Sequence, residues 1–303
     1  MNIEKYRVFI AIQETGSLTG AAERLGYTQS GVSHILASLE SEFGLTLINR
    51  SRTRITLTPE GERLLRLMRD VVSRDEQLMQ EVSALRGVTA GVLRVGTVVS
   101  VAVQWLPELV KLFTRKFPLI ELELLDGVYS DMEDWLSADR IDCAFVTRAT
   151  KKEYDYIPLK EDRLLAILPL DHPLAELDVL PLPAIRSEPF IIPGEGSGYD
   201  IGRILKSAGV RPNVRFEMSD DYAAIAMVEH GLGISILPEL VLSGTNANVR
   251  VLELEGFPRR TIGLALKSKK TASPACREFI NAARQWVHER YEPFMNDPDI
   301  KEA

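Results

Sequence analysis

Residues 15–39 read TGSLTGAAERLGYTQSGVSHILASL, and the rest of the chain is best read outward from them. Ser17 or Thr19 can cap a short helix over 18–25. Gly26 and Tyr27 supply a tight turn, and Thr28 is a good cap for a second helix. That second helix sets Val32, Ile35, Leu36, Leu39 and Phe43 on one stripe at helical spacing. Its other face is small and polar, with Ser30, Ser33, His34 and Ala37, and Gln29 near the start. Such a face fits a DNA major groove, where Gln pairs with a base edge while Ser, Thr and backbone amides hold phosphates. An ordinary helical hairpin would show the same pattern, so the flanking residues must decide.

After Phe43-Gly44 comes LTLINRSRTRITLTPEG. Residues 45–48 and 55–57 have the composition of two short strands around a turn carrying Arg50, Arg52 and Arg54. Three cations at alternate positions on one ribbon beside a helix-turn-helix make a phosphate clamp; a merely solvated hairpin has no need of them. The candidate DNA contacts are therefore Thr28, Gln29, Ser30, Ser33, His34, Arg50, Arg52 and Arg54.

The run FIAIQETGSLTGAAERLGYTQSGVSHILASLESEFGLTLINR followed by LTPEG resembles the winged helix-turn-helix of LysR-type bacterial transcription regulators. His34 stands where that family commonly has Arg, and Ala37 where a cation is frequent. Fewer fixed charges on the recognition helix shift phosphate anchoring toward the wing.

The net charge of −7 is unusual for a DNA binder, but it is unevenly spread. Residues 1–90 hold 11 Lys+Arg and 11 Asp+Glu, so the excess acid lies entirely in the remainder. DNA attraction must be local. No apolar run is long enough to span a bilayer, and two cysteines, Cys143 and Cys276, suit a reducing compartment, so the expected location is the cytoplasm, away from membranes. Cys143 and Cys276 are expected to pack as small hydrophobes rather than form a redox switch. The four histidines have no ligand spacing, and neither a metal nor a cofactor is expected.

Residues 1–14 read as an opening helix. Thr58-Pro59-Glu60 starts another that runs to about residue 85, with Leu64, Met68, Val71, Asp75, Leu78, Val82 and Leu85 alternating at steps of 4 and 3. A stripe this long predicts a homodimer, with Asp75 as a register-setting polar residue. RGVTAG is a hinge by composition. Beyond it, strands and helices alternate, which predicts parallel α/β sheet.

The expected fold is thus an α/β multidomain chain. It has a winged helix-turn-helix over 1–58, a long linker helix over 59–86, a hinge over 87–91 and an effector domain over 92–295. The resemblance implies that this last domain is two-lobed and periplasmic-binding-protein-like, with lobe 1 at 92–162 plus 268–290 and lobe 2 at 165–265. It also implies an operator in double-stranded DNA, a homotetramer built through linker and sensor lobes, and RNA polymerase as a further partner.

Ligands in open α/β sheets sit beyond the C-terminal strand ends. That rule singles out Thr97, Val98, Val99 and Ser100; Tyr129 and Ser130; Thr147 and Arg148; and Pro193 and Ser197, with HGLGISILP matching the family's glycine-rich turn near the pocket. Ser100 and Ser197 can equally be helix caps, and Arg148 a surface ion pair. The apolar Val98, Val99 and Tyr129 suggest a small organic or aromatic acid as effector. An enzyme would need a nucleophile elbow, P-loop or dinucleotide fingerprint, and none is present. A solute sensor that acts without DNA would not need the arginine ribbon.

Overall fold

The computed structural model describes residues 2–50, 55–86, 89–147, 154–194 and 197–291, without the Arg50 side chain. Arg52, Arg54 and Arg148, and positions 87–88 of the hinge, lie outside these residues. The chain divides into two compact units. The first is Met1–Gly91 with Ser137–Arg140; the second is Val92–Leu136 with Ile141–Ala303.

The first unit is built from α1 (Ile3–Thr15), α2 (Leu18–Leu25), α3 (Gln29–Phe43), the ribbon β1 (Ile48–Arg50) and β2 (Ile55–Leu57), and α4 (Pro59–Leu85). Short polar side chains start these helices. Ser17 Oγ accepts from Gly20 N, Thr28 Oγ1 from Gly31 N and Thr58 Oγ1 from Gly61 N. Between α2 and α3, Gly26 takes φ 71°, a left-handed conformation open to glycine at no steric cost. Val32, Leu36 and Leu39 are fully buried against Val8, Phe9, Ile12 and Ala21, with Ile35 and Phe43 packed at the edge.

The long helix α4 divides its apolar stripe. Leu65, Met68 and Val72 are buried in the first unit's own core, with Leu64 and Val71 alongside. Leu67, Leu78, Met79 and Leu85 are exposed. Asp75, expected at the seam with a second chain, pairs with Arg7 of α1 at 3.2 Å, and Glu76 with the same guanidinium at 3.0 Å. One face of the first turns of α4 therefore belongs to the winged-helix core, while Leu67 and the later Leu78, Met79 and Leu85 stay exposed among the described residues.

The second unit comprises β3 (Gly91–Thr97), α5 (Val99–Gln104), α6 (Leu106–Lys116), β4 (Ile120–Asp126), α7 (Tyr129–Ser137), β5 (Cys143–Thr147), β6 (Asp155–Pro169), β7 (Val179–Leu180), β8 (Pro189–Pro193), α8 (Ser197–Ser207), β9 (Asn213–Met218), α9 (Asp221–Glu229), β10 (Ser235–Pro238), α10 (Glu239–Leu242), β11 (Val249–Leu254), β12 (Arg259–Leu266) and α11 (Pro274–Arg290). Its main sheet runs β4-β3-β5-β12-β6-β11-β7, with β10 also on β6, while β8 and β9 form a separate parallel pair.

The sheet is mixed rather than parallel. Strand β6 spans 15 residues; its first half pairs antiparallel with β12 and its second half with β10 and β11. Because β12 also pairs with β5, and Ile262 and Leu264 are buried with Trp105, Phe113 and Phe279, residues 259–265 belong to lobe 1, not lobe 2. Lobe 2 has its own cores around Phe190 and Ile225. Cys143 and Cys276 are both buried in lobe 1, where its neighbour Cys276 and then burial push the Cys143 thiol well up; they pack as small apolar groups.

One close approach fixes how α4 leaves the wing. A Cβ on Gly61 would lie 2.1 Å from the Leu47 carbonyl oxygen. Helix propensity alone would favour Ala there by about 1 kcal/mol. The backbone clash outweighs it, so Gly61→Ala should destabilise the first unit by about 1–3 kcal/mol in urea unfolding followed by far-ultraviolet circular dichroism. Wild-type stability in that variant would contradict the packing described.

Candidate functional site

Helix α3 exposes Gln29, Ser30, His34 and Ala37, with Ser33 half-buried. Thr28 is exposed but engaged, accepting from Gly31 N and lying 3.1 Å from Ser30 Oγ. Tyr27 is tied back to α1 by donating to Glu4 Oε1 at 3.0 Å. Glu40, not singled out in the sequence, is a positioning residue. Its Oε1 accepts from Leu47 N at 2.8 Å, which fixes the start of the wing against the last turns of α3. On the ribbon, Asn49 faces Thr56 across the pair, and Asn49 Nδ2 donates to Leu57 O.

In the second unit a cavity of about 100 Å³ lies between the two lobes, lined by Val98, Val99, Ser100, Gly127, Val128, Tyr129, Ser197, Ser219, Asp220, Asp221 and Arg260. Of the sequence candidates, Val98, Val99, Ser100, Tyr129 and Ser197 line it. Thr97 is buried one residue short, with Oγ1 on the Val98 carbonyl. Ser130 is exposed on α7 and Pro193 is buried at the end of β8; neither lines the cavity. Thr147 sits behind it, donating to Asp200 Oδ2 at 3.0 Å and so linking β5 of lobe 1 to α8 of lobe 2. Tyr129 and Tyr199 meet edge to face across the same gap, with centroids 6.3 Å apart.

The organising side chain is Arg260, which the sequence reading passed over. It is 3% exposed. Its Nε donates to Asp162 Oδ2 at 2.8 Å, its Nη2 to Ser100 Oγ at 3.1 Å and its Nη1 to Tyr129 OH at 3.4 Å, with Asp200 Oδ2 4.0 Å away. Asp162 is fully buried, and its second oxygen accepts from Leu240 N at the start of α10. A legible signal existed. In RRTIGLAL, Arg260 is in phase with Ile262, Leu264 and Leu266, and in DRLLAIL, Asp162 is in phase with Leu164, Ala166 and Leu168. A charge in phase with a buried face requires a partner. The two lie directly opposite each other in the β6–β12 register.

Burial raises the pKa of Asp200, although Arg260 and the Thr147 hydrogen bond pull it back; burial does the same to Asp221, which accepts from Ser197 Oγ at 2.8 Å. Tyr129 is pushed up to about 12, mainly by burial, so it remains a neutral phenol at physiological pH. Burial would lower Arg260, but Tyr129, Asp162 and Asp200 outweigh it and its pKa is raised. The carboxyls with raised pKa favour the folded domain most below 3.8, and that contribution is lost as pH rises through their folded values. Asp200→Asn should therefore gain stability relative to wild type as pH climbs above 3.8, measured by chemical unfolding at stepped pH. A constant difference across the range would contradict the assignment.

Comparison with known proteins agrees with the fold. Residues 3–62 match the model for bacterial regulatory helix-turn-helix proteins of the lysR family, and residues 86–288 match the LysR substrate binding domain. The chain is 33% identical over 288 residues to YvbU of Bacillus subtilis, an uncharacterised HTH-type transcriptional regulator, covering 94% of this chain and 98% of that one. It is 30% identical over 261 residues to the HTH-type transcriptional activator CmpR of Synechocystis, covering 84% and 86%. The fold matches a full-length OxyR variant from Pseudomonas aeruginosa (TM-score 0.75, 21% identity, 95% of each chain) and full-length CbnR complexed with its target DNA (TM-score 0.66, 21% identity, 94% and 100%). Helix-turn-helix, wing, long helix and two-lobed α/β unit occur together and in this order, and the chain belongs to the LysR family of DNA-binding transcriptional regulators.

Proposed function

We propose that operator reading falls to α3 and the wing, that the interlobe cavity takes the small-molecule effector, and that two copies join through the later turns of α4. The single observation that carries the reading is the exposed small-polar face of α3, whose opposite face is wholly committed to the core. Gln29 reads a base edge in the major groove. Thr28, Ser30 and Ser33 with the first amides of α3 hold phosphates, and His34 lies one turn further along. Arg50, Arg52 and Arg54 clamp the neighbouring backbone. Dimerisation is supported by Leu67, Leu78, Met79 and Leu85 of α4, which are exposed among the described residues. A dimer places two recognition helices on the halves of a near-palindrome, and a tetramer would engage two such sites.

Purified full-length protein should enrich a short interrupted palindrome from genomic fragments, with affinity falling steeply with salt. A Gln29→Ala/Ser33→Ala variant with unchanged unfolding midpoint should lose about ten- to a hundredfold in operator affinity by fluorescence anisotropy. Unchanged affinity in that variant would remove α3 as the reading element.

A further inference from the structure

A second cavity, of about 500 Å³, opens in lobe 2 and shares no lining residue with the interlobe cavity. It lies where β8, α8 and the turn after α8 meet, and its volume is in the range that encloses small-molecule ligands. The floor is apolar, made by Ile192 of β8, Leu205 of α8, and Val210 and Pro212 of the turn. Two cations, Lys206 and Arg211, also line it; both are exposed, and neither side chain has a hydrogen bond or ion pair among the described residues. No carboxylate lines it among those residues. Glu217 lies opposite Ile192 in the β8–β9 register but is exposed outside the lining.

Gly202 is an independent sign of an occupant. It stands in the middle of α8, where glycine weakens a helix relative to alanine, and it lines the cavity. Packing gives no reason for it, since a Cβ there would meet nothing within 4 Å. Gly198, one turn earlier, contrasts with it: its Cβ would lie 2.2 Å from the Pro193 carbonyl oxygen. What Gly202 leaves is open space over the apolar floor.

The negative end of the α8 dipole is blunted at this site. Ala208 N donates to Ile204 O, Val210 N to Leu205 O and Gly209 N to Lys206 O, so the last carbonyls are met from within. Arg186 Nη2 donates to Gly209 O and brings a third cation to the same end.

We propose that this groove is a second small-molecule site and that it takes a carboxylate carrying an apolar tail. The tail lies on Ile192, Leu205, Val210 and Pro212, in the space that Gly202 leaves open. Lys206 and Arg211 hold the carboxylate by charge-assisted hydrogen bonds, which compensates two like charges in one groove. The site is separate from the interlobe cavity, so the two can be filled independently.

The test uses full-length protein at fixed ionic strength and near-neutral pH. Octanoate, octylammonium, octanol and propionate are titrated by equilibrium dialysis into wild type, Lys206→Met, Arg211→Met, Gly202→Leu and Val99→Phe. Leucine is a better helix former than glycine, so Gly202→Leu should unfold no earlier than wild type while filling the groove. Octanoate should bind at millimolar concentration or below and weaken about fivefold in each Met variant. It should be lost in Gly202→Leu and unchanged in Val99→Phe, with octanol weaker and the other two probes not bound. Octylammonium or octanol binding as tightly as octanoate would overturn the anionic class and with it the proposal. Absence of octanoate binding, or binding untouched by Gly202→Leu, would overturn the groove as a site. Binding that Val99→Phe abolishes and Gly202→Leu leaves intact would place the carboxylate in the interlobe cavity and overturn only this proposal.

Discussion

The second unit is arranged around a guanidinium taken out of water. Arg260 on β12 cannot be left alone in a low-dielectric interior, and Asp162 directly across the ladder on β6 is the group that satisfies it. That pairing fixes register. A slip of β12 by one residue would turn Arg260 to the other face and leave Asp162 without its partner. It also fixes neighbours, because the remaining donors and acceptors reach Ser100 on α5, Tyr129 on α7 and Leu240 N on α10. Replacing such a pair by apolar residues can be neutral for stability. What the pair gives this unit is a defined polar floor at the lobe junction.

The first unit is held together by more local means. Its short helices are held by capping side chains, by an apolar stripe on each helix and by two devices at the wing: Glu40 accepting from Leu47 N, and the close approach of Gly61 to the Leu47 carbonyl. Both act at Leu47, so the start of the ribbon is set by α3 on one side and α4 on the other. The recognition face needs nothing from the interior and is left to small polar residues.

Much of the first unit was legible because its signals are local. Caps at Ser17 and Thr28, a glycine turn at Gly26 and an i, i+3, i+4 stripe require no knowledge of distant residues. The stripe of α4 was legible as a stripe, but its partner was not. The first half is covered by α1 and the rest of the winged-helix core, and Asp75 pairs with Arg7, a contact 68 residues away. In the second unit, strand ends led to Val98, Val99, Ser100, Tyr129 and Ser197, which line the interlobe cavity. Arg260 was missed because the antiparallel crossing of β6 and β12 brings a late strand into lobe 1, a non-local pairing that alternation of strands and helices does not reveal. The phase of Arg260 with Ile262 and Leu264 was the available clue.

The most direct test of this account is a double-mutant cycle on Arg260→Met and Asp162→Asn, read by chemical unfolding of the second unit in the full chain. Asn keeps an acceptor for Leu240 N, so the cycle isolates the ion pair. Each single variant should cost about 3–5 kcal/mol, since each strands a buried charged group. The double variant should cost less than their sum, by more than about 1 kcal/mol. Costs that add to within about 0.5 kcal/mol would contradict a shared interaction and with it the role given to Arg260.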